Sequence, residues 1–192
     1  EIFMIASRII LFCFMLYTTS FSNENTLLDT SKLDISKLDT VKIEEKIEYL
    51  PDEFLKDLDN KKVSIHDLLD ARPALISFWF LACEPCKKEM KYLDEYNKKY
   101  SEKGFKVISV NTDNSRTINR VKPFVNSKKY SFTVLNDPKS LFFRKLGGKI
   151  CPYLVLIDEH GNIINKHVGY NSGDEIKLEE EIKNLIKNIE KD

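Results

Sequence analysis

Apolar and polar positions follow three different patterns along the chain. Residues 1–22, "EIFMIASRIILFCFMLYTTSFS", hold one basic residue, Arg8, then the unbroken apolar run Ile9–Tyr17, then the small and hydroxyl residues Thr18, Thr19, Ser20 and Ser22. That is the order of a secretory signal peptide. The apolar run is short for a membrane span, yet Ile2–Ala6 extends it far enough for an uncleaved N-terminal membrane anchor. Cys13 lies inside the run behind Phe12, where a lipoprotein signal would carry a small residue, so it reads as apolar filler. Residues 23–46 change character. "SKLDISKLDT" repeats SKLD every five residues, a period of neither helix nor strand, and large apolar residues are too few to build a core. This stretch reads as a flexible linker.

Residues 47–192 carry the pattern of one folded domain. "IEYLPDEFLKDLDNKKVSIHDLL" alternates short apolar stretches about the turn Asp59-Asn60, which predicts an N-terminal hairpin followed by a short helix. "ALISFWF" (74–80) is apolar without alternation, as a strand covered on both faces requires. An amphipathic helix is expected over 83–100, and "FKVISVN" (105–111) makes a second buried strand. A helix follows at roughly 116–127, a strand at 131–136 and a helix at 138–146 stopped by Gly147-Gly148. Segments 153–158 and 163–169 form a hairpin around "EHGN", and an amphipathic helix at 173–189, capped by Asp174 or Ser172, closes the chain. Strands alternating with helices predict an α/β fold, its sheet mixed because of the hairpins.

Composition narrows the classes. A chain of 192 residues suits one domain with appendages. Hydrophobic residues make up 42% and charged residues 31%, enough for a core and a solvated surface. Basic and acidic residues balance at 30 each, so the excess of positive charge that marks a nucleic-acid binder is missing and no nucleic-acid partner is expected.

The chemistry concentrates at "FLACEPCKKE" (80–89), where Cys83 and Cys86 stand two residues apart between a buried strand and a helix. The pair reads as a redox centre, half of a metal site or a structural disulfide. Unpaired N–H groups and the helix dipole would stabilise a thiolate at Cys83, making it the attacking thiol and Cys86 the resolving one. Pro85 pre-sets the first helical turn and lacks an N–H that would be orphaned there. A zinc site needs four ligands, but the chain has no second such pair, and His66, His160 and His167 show no ligand spacing. All three histidines read as surface or turn residues. A structural disulfide usually closes a longer loop. Exchange chemistry is therefore the favoured reading. Glu84, between the cysteines, is expected to be exposed and to oppose thiolate formation. Glu89 falls on the helical stripe Ala82, Cys86, Glu89, Leu93, Tyr96, Tyr100, and so is expected to point into the core behind the cysteines. The alternative is an ordinary helical glutamate that reaches water or a lysine.

"FWFLACEPCKKE", Cys151 before "PYLVLID", and "HGNIINKHVG" together resemble the TlpA/ResA group of membrane-tethered thiol–disulfide oxidoreductases, over about residues 47–190. That resemblance implies a thioredoxin-like fold, a central mixed β-sheet flanked by helices, with the N-terminal hairpin and a central strand/helix insertion around 112–135. Carried over residue by residue, Cys83 is the nucleophile, Cys86 the resolving cysteine and Glu89 the group that handles its proton. Pro152 becomes a cis-proline presenting the backbone edge of Cys151 to substrate, and Trp79 matches the family's first tryptophan. Trp79, Glu84, Pro85, Cys151 and Pro152 are thus expected to bind substrate. Two positions depart from the pattern: Ala82 replaces a second tryptophan, and Cys151 replaces the threonine or aliphatic residue before the proline. Cys151 reads as a buried packed thiol, a third redox thiol, or a soft-metal ligand with Cys83 and Cys86.

The implied protein is an exported, periplasmic or otherwise extracytoplasmic disulfide oxidoreductase, with the reductase direction favoured. It needs no cofactor beyond the Cys83–Cys86 disulfide, and is expected to be a monomer held at the membrane by its N-terminal segment. Its substrates would be periplasmic proteins with cysteine pairs, such as apocytochrome c or copper-site proteins, and a membrane thiol reductant would recharge it. The rivals are a copper(I) metallochaperone using Cys83, Cys86 and Cys151, and a non-catalytic interaction module. A peroxiredoxin is disfavoured because Phe80 stands where its threonine belongs.

Overall fold

The computed structural model describes residues 47–189. The signal or anchor expected at 1–22 and the linker expected at 23–46 lie outside the described residues. Among the described residues no helix is long and apolar enough to cross a membrane.

The expected hairpin is β1 (Phe54–Asp57) and β2 (Lys62–Ser64), followed by the short helix α1 (Ile65–Leu69). Its turn is built by the Asp57 carboxylate, which accepts from the N–H groups of Asp59 and Lys61. The strand–helix–strand unit is β3 (Ala74–Trp79), α2 (Glu84–Tyr100) and β4 (Lys106–Asn111). Next come α3 (Val121–Lys128), β5 (Thr133–Asn136), α4 (Leu141–Lys145), the hairpin β6 (Tyr153–Ile157) and β7 (Ile163–Val168), and the closing helix α5 (Asp174–Ile189). The seven strands form one mixed sheet in the order β2-β1-β5-β4-β3-β6-β7. β3 runs parallel to β4 and antiparallel to β6, so it lies in the interior of the sheet.

Three helices differ from expectation, each for a local reason. The helix expected at 116–127 is a 3-10 turn, Ile118–Arg120, followed by α3. Pro123 explains the late start, because proline lacks the N–H that an earlier helix would need there. The helix expected at 138–146 shrinks to α4, since Ser140 is left-handed (φ 51°). Asp137 takes over the helix start, accepting from the N–H groups of Leu141 and Phe143. At α5, Asp174 is the first helical residue rather than its cap, and its carboxylate turns back to accept from Asn171 N–H.

Alternation along β3 divides the core in two. Leu75 and Trp79 join α2 and α5 on one side, with Met90, Leu93, Leu178 and Ile182. Ala74, Ile76 and Phe78 join Leu55, Ile65 and Phe142 on the other. The cysteine pair belongs to the first cluster, and Cys151 touches both.

Candidate active site

β3 carries the chain to Trp79, and Cys83 then caps α2. The cap is a sulfur: Cys86 N–H donates to Cys83 Sγ at 3.3 Å, while Cys83 N–H closes a turn onto Phe80 O at 3.0 Å. Pro85 occupies the first turn, where a missing N–H costs nothing. Cys83 and Cys86 are joined in a disulfide with their Cα atoms 5.3 Å apart. The order of exposure is as expected, but both residues are well covered: Cys83 is 5% exposed and Cys86 1%. Glu84 is exposed, as expected, and pairs with Lys87 at 2.7 Å, which holds its carboxyl below the usual range.

The turn before the cysteines is fixed from a strand away. Asp113, just beyond β4, accepts from Leu81 N–H at 2.7 Å, from Asn111 Nδ2 at 2.9 Å and from the Thr117 hydroxyl at 2.7 Å. Thr112 N–H donates to Trp79 O at 2.8 Å. Asp113 and Thr112 carry no motif. Their only trace in sequence is a polar "NTD" immediately after a buried strand, which sets them at the end of β4 beside the end of β3.

Pro152 follows a cis peptide bond from Cys151, at the start of β6. The β3–β6 register pairs Phe78 with Tyr153, so Cys151 and Pro152 lie at the edge of the sheet where β3 gives way to the cysteine turn. Cys151 is a half-buried free thiol. Burial pushes it up to about 11, against a lowering hydrogen bond from Thr112, and the Glu89 charge raises it further. Such a thiol stays protonated near neutral pH and is a poor nucleophile. Among the described residues no three His, Cys, Asp or Glu side chains converge as a metal site would require.

Two expectations need correcting. Trp79 is fully buried and packs, tilted, against Phe124 with ring centroids 5.6 Å apart, so it supports the site from behind and offers substrate no contact. Strand alternation sends it inward. Ala82 leaves the apolar stripe of α2: it is exposed, because it precedes the helix and the 3.6-residue period does not reach it.

The remainder of the stripe is buried: Cys86, Glu89, Leu93, Tyr96 and Tyr100. Glu89 is 4% exposed, and its Oε2 has no hydrogen-bond partner among the described residues. Burial raises its carboxyl to about 8, with the Asp174 charge adding to the effect. The group is thus poised to take or release a proton near neutral pH, one helical turn below Cys86. The histidines are peripheral: His160 is exposed in a turn, His66 meets Leu50 O, and His167 pairs with Glu181.

Residues 37–185 match the Redoxin family model. Over 145 residues the chain is 32% identical to the thiol–disulfide oxidoreductase ResA of Bacillus thuringiensis subsp. konkukian, covering 74% of this chain and 81% of that protein. Among solved structures, a candidate thiol:disulfide interchange protein, DsbE, from Chlorobium tepidum superposes with a TM-score of 0.68 at 29% identity, over 73% of this chain and 96% of that one. A candidate thioredoxin from Neisseria meningitidis superposes with a TM-score of 0.64 at 32% identity, over 72% and 90% of the two chains.

Proposed function

The chain belongs to the Redoxin family, as a TlpA/ResA-type thiol–disulfide oxidoreductase of thioredoxin-like fold, and from that premise we propose that it is an exported protein disulfide reductase in which Cys83 is the nucleophile. The observation that carries this reading is a cysteine pair on the first turn of α2 with a buried, protonatable Glu89 directly beneath it. Cys83 thiolate attacks a substrate disulfide, forming a mixed disulfide and releasing one substrate thiolate. Cys86 then loses its proton to Glu89 as its sulfur attacks Cys83, and the second substrate thiolate leaves. Two electrons pass to the substrate, and the Cys83–Cys86 disulfide remains to be reduced by a membrane thiol reductant.

The N-terminal segment supports export and a membrane tether, through its signal-like order of charge, apolar core and small residues. Substrates are periplasmic proteins whose cysteines must be free before a haem or copper centre is attached. Half-buried Cys151, ahead of the buried Pro152, and exposed Pro85 are the contacts offered to such a substrate.

The test is the reduction potential of the Cys83–Cys86 pair, measured by equilibration in thiol redox buffers. Thiol–disulfide couples of this kind span about −270 to −120 mV. A value near the reducing end is expected. A value near the oxidising end would overturn the reductase direction and make the protein a disulfide donor.

A further inference from the structure

Glu89 Oε2 is buried with no hydrogen-bond partner among the described residues, and leaving a buried oxygen so costs stability. The same carboxyl lines a groove of about 320 Å3 bounded by α2, β7 and α5. From α2 only Glu89 and Tyr92 bring titratable groups to it. On the β7 side, Lys166 is paired with Glu48 and His167 with Glu181. Beyond β7, the Tyr170 hydroxyl donates to Glu175, which also accepts from Gly173 N–H. Lys177 lines the α5 side without an ion pair among the described residues. Asp174 differs from its acidic neighbours, since Oδ2 accepts from Asn171 while Oδ1 takes no protein donor among the described residues. It is the rim carboxylate whose charge reaches Glu89. Cys86 lies one turn away on α2, and Cys151 adjoins from the start of β6.

We propose that this groove is the proton channel of Glu89: its carboxyl exchanges with water entering between α2, β7 and α5, past Asp174 as a positioning residue, and not across the cysteine face that a substrate covers. The inference rests on the reading of Glu89 as proton acceptor for Cys86. During resolution the Cys86 proton passes to the Glu89 carboxylate, the sulfur's electron pair forms the Cys83–Cys86 bond, and the substrate sulfur departs as a thiolate. Glu89 then gives the proton to groove water while the substrate is still seated. A separate back entrance lets the proton leave without the complex opening.

The test labels Glu89 in the full chain with a carbodiimide, which reacts with protonated carboxyls, and maps the adduct by mass spectrometry. Cys86→Ser is compared with and without a bulky mixed disulfide on Cys83, which covers the front. Labelling that persists under the cover, and that falls several-fold in Lys177→Trp and in Val168→Trp, is the expected result. Both of those positions line the groove, and Val168 is 65% exposed, so either indole can narrow the entrance from a solvated site. In addition, Asp174→Asn should lower the midpoint of the Glu89 carboxyl, followed by carbon-13 NMR, by about half a pH unit or more. Labelling abolished by the front cover, insensitive to both indoles or absent throughout would overturn the channel, as would an unmoved midpoint. These readouts need no turnover, so a failure of the reductase reading, seen as an oxidising potential, is distinguishable from a failure of the channel.

Discussion

Asp113 and Glu89 are both carboxylates taken almost wholly out of water, 7% and 4% exposed, one just beyond β4 and the other on α2. Asp113 is bonded at both oxygens: Leu81 N–H, Asn111 Nδ2 and the Thr117 hydroxyl all donate to it, and its own N–H donates to Asn111 Oδ1. Glu89 has an oxygen with no protein donor among the described residues. Burial alone therefore does not give a carboxylate its role. A buried acid with both oxygens engaged positions the backbone around it, whereas one left short of donors prefers its neutral form and becomes a proton carrier.

The largest effect that separates them is on stability against pH. Glu89 has its carboxyl raised in the folded protein to about 8 from 4.5, so the native state holds a proton that the unfolded chain has released. Its contribution is fully present below pH 4.5, is lost as pH rises, and levels off above about 8. At about 1.4 kcal/mol for each pH unit between the two values, the swing amounts to several kcal/mol. Denaturant titrations across this window should show wild type losing stability as pH rises while Glu89→Gln loses much less. Parallel curves for the two proteins would break the contrast with Asp113.

Glu89→Gln should also slow disulfide reduction at neutral pH by about 100-fold, the scale of a lost general base. The defect should shrink as pH rises toward that of the free Cys86 thiol, where hydroxide substitutes for the carboxylate. Stopped-flow reduction of a protein disulfide, followed from pH 6 to 9, checks both the size and the slope.

Asp113→Ala should act on the fold. It strands the Leu81 N–H, the Asn111 amide and the Thr117 hydroxyl, and should cost about 2–3 kcal/mol of unfolding free energy. Exchange should fall mildly, because the cysteines lose register and not their chemistry. An Asp113→Ala protein of wild-type stability would show that the network positions nothing.

Legibility in the sequence followed the range of the interactions. The cysteine pair, its place between strand and helix, and the stripe Cys86, Glu89, Leu93, Tyr96, Tyr100 are local periodic features, and all are found as read. Ala82 failed because the stripe was extended past the helix start, and Trp79 because strand alternation buries it. The mixed sheet was legible as alternating strands and helices, but the shortened α3 and α4 depended on Pro123 and on the left-handed Ser140. Asp113 could not be found this way: it lies 32 residues from Leu81, and only the parallel pairing of β3 with β4 brings them together. Asp174 approaches Glu89 across still more chain, when α5 packs against α2.

The smallest predicted effect concerns the third acid of the site, Glu84, which neither Asp113 nor Glu89 resembles. It is exposed, beside Cys83 in the first turn of α2, and paired with Lys87 at 2.7 Å. A negative charge there suits the helix dipole but opposes a thiolate on the neighbouring sulfur. The pairing with Lys87 already cancels most of that opposition, and water screens the remainder. Glu84→Gln leaves Lys87 to act on Cys83 alone. The thiolate should form at slightly lower pH and the initial attack should quicken by less than about threefold, an advantage that disappears in high salt. Alkylation rates of reduced Cys83 against pH, at low and high ionic strength, measure this directly. A large, salt-insensitive change would mean that Glu84 acts through a buried contact, as Asp113 does, and that exposure is the wrong axis on which to sort the three acids.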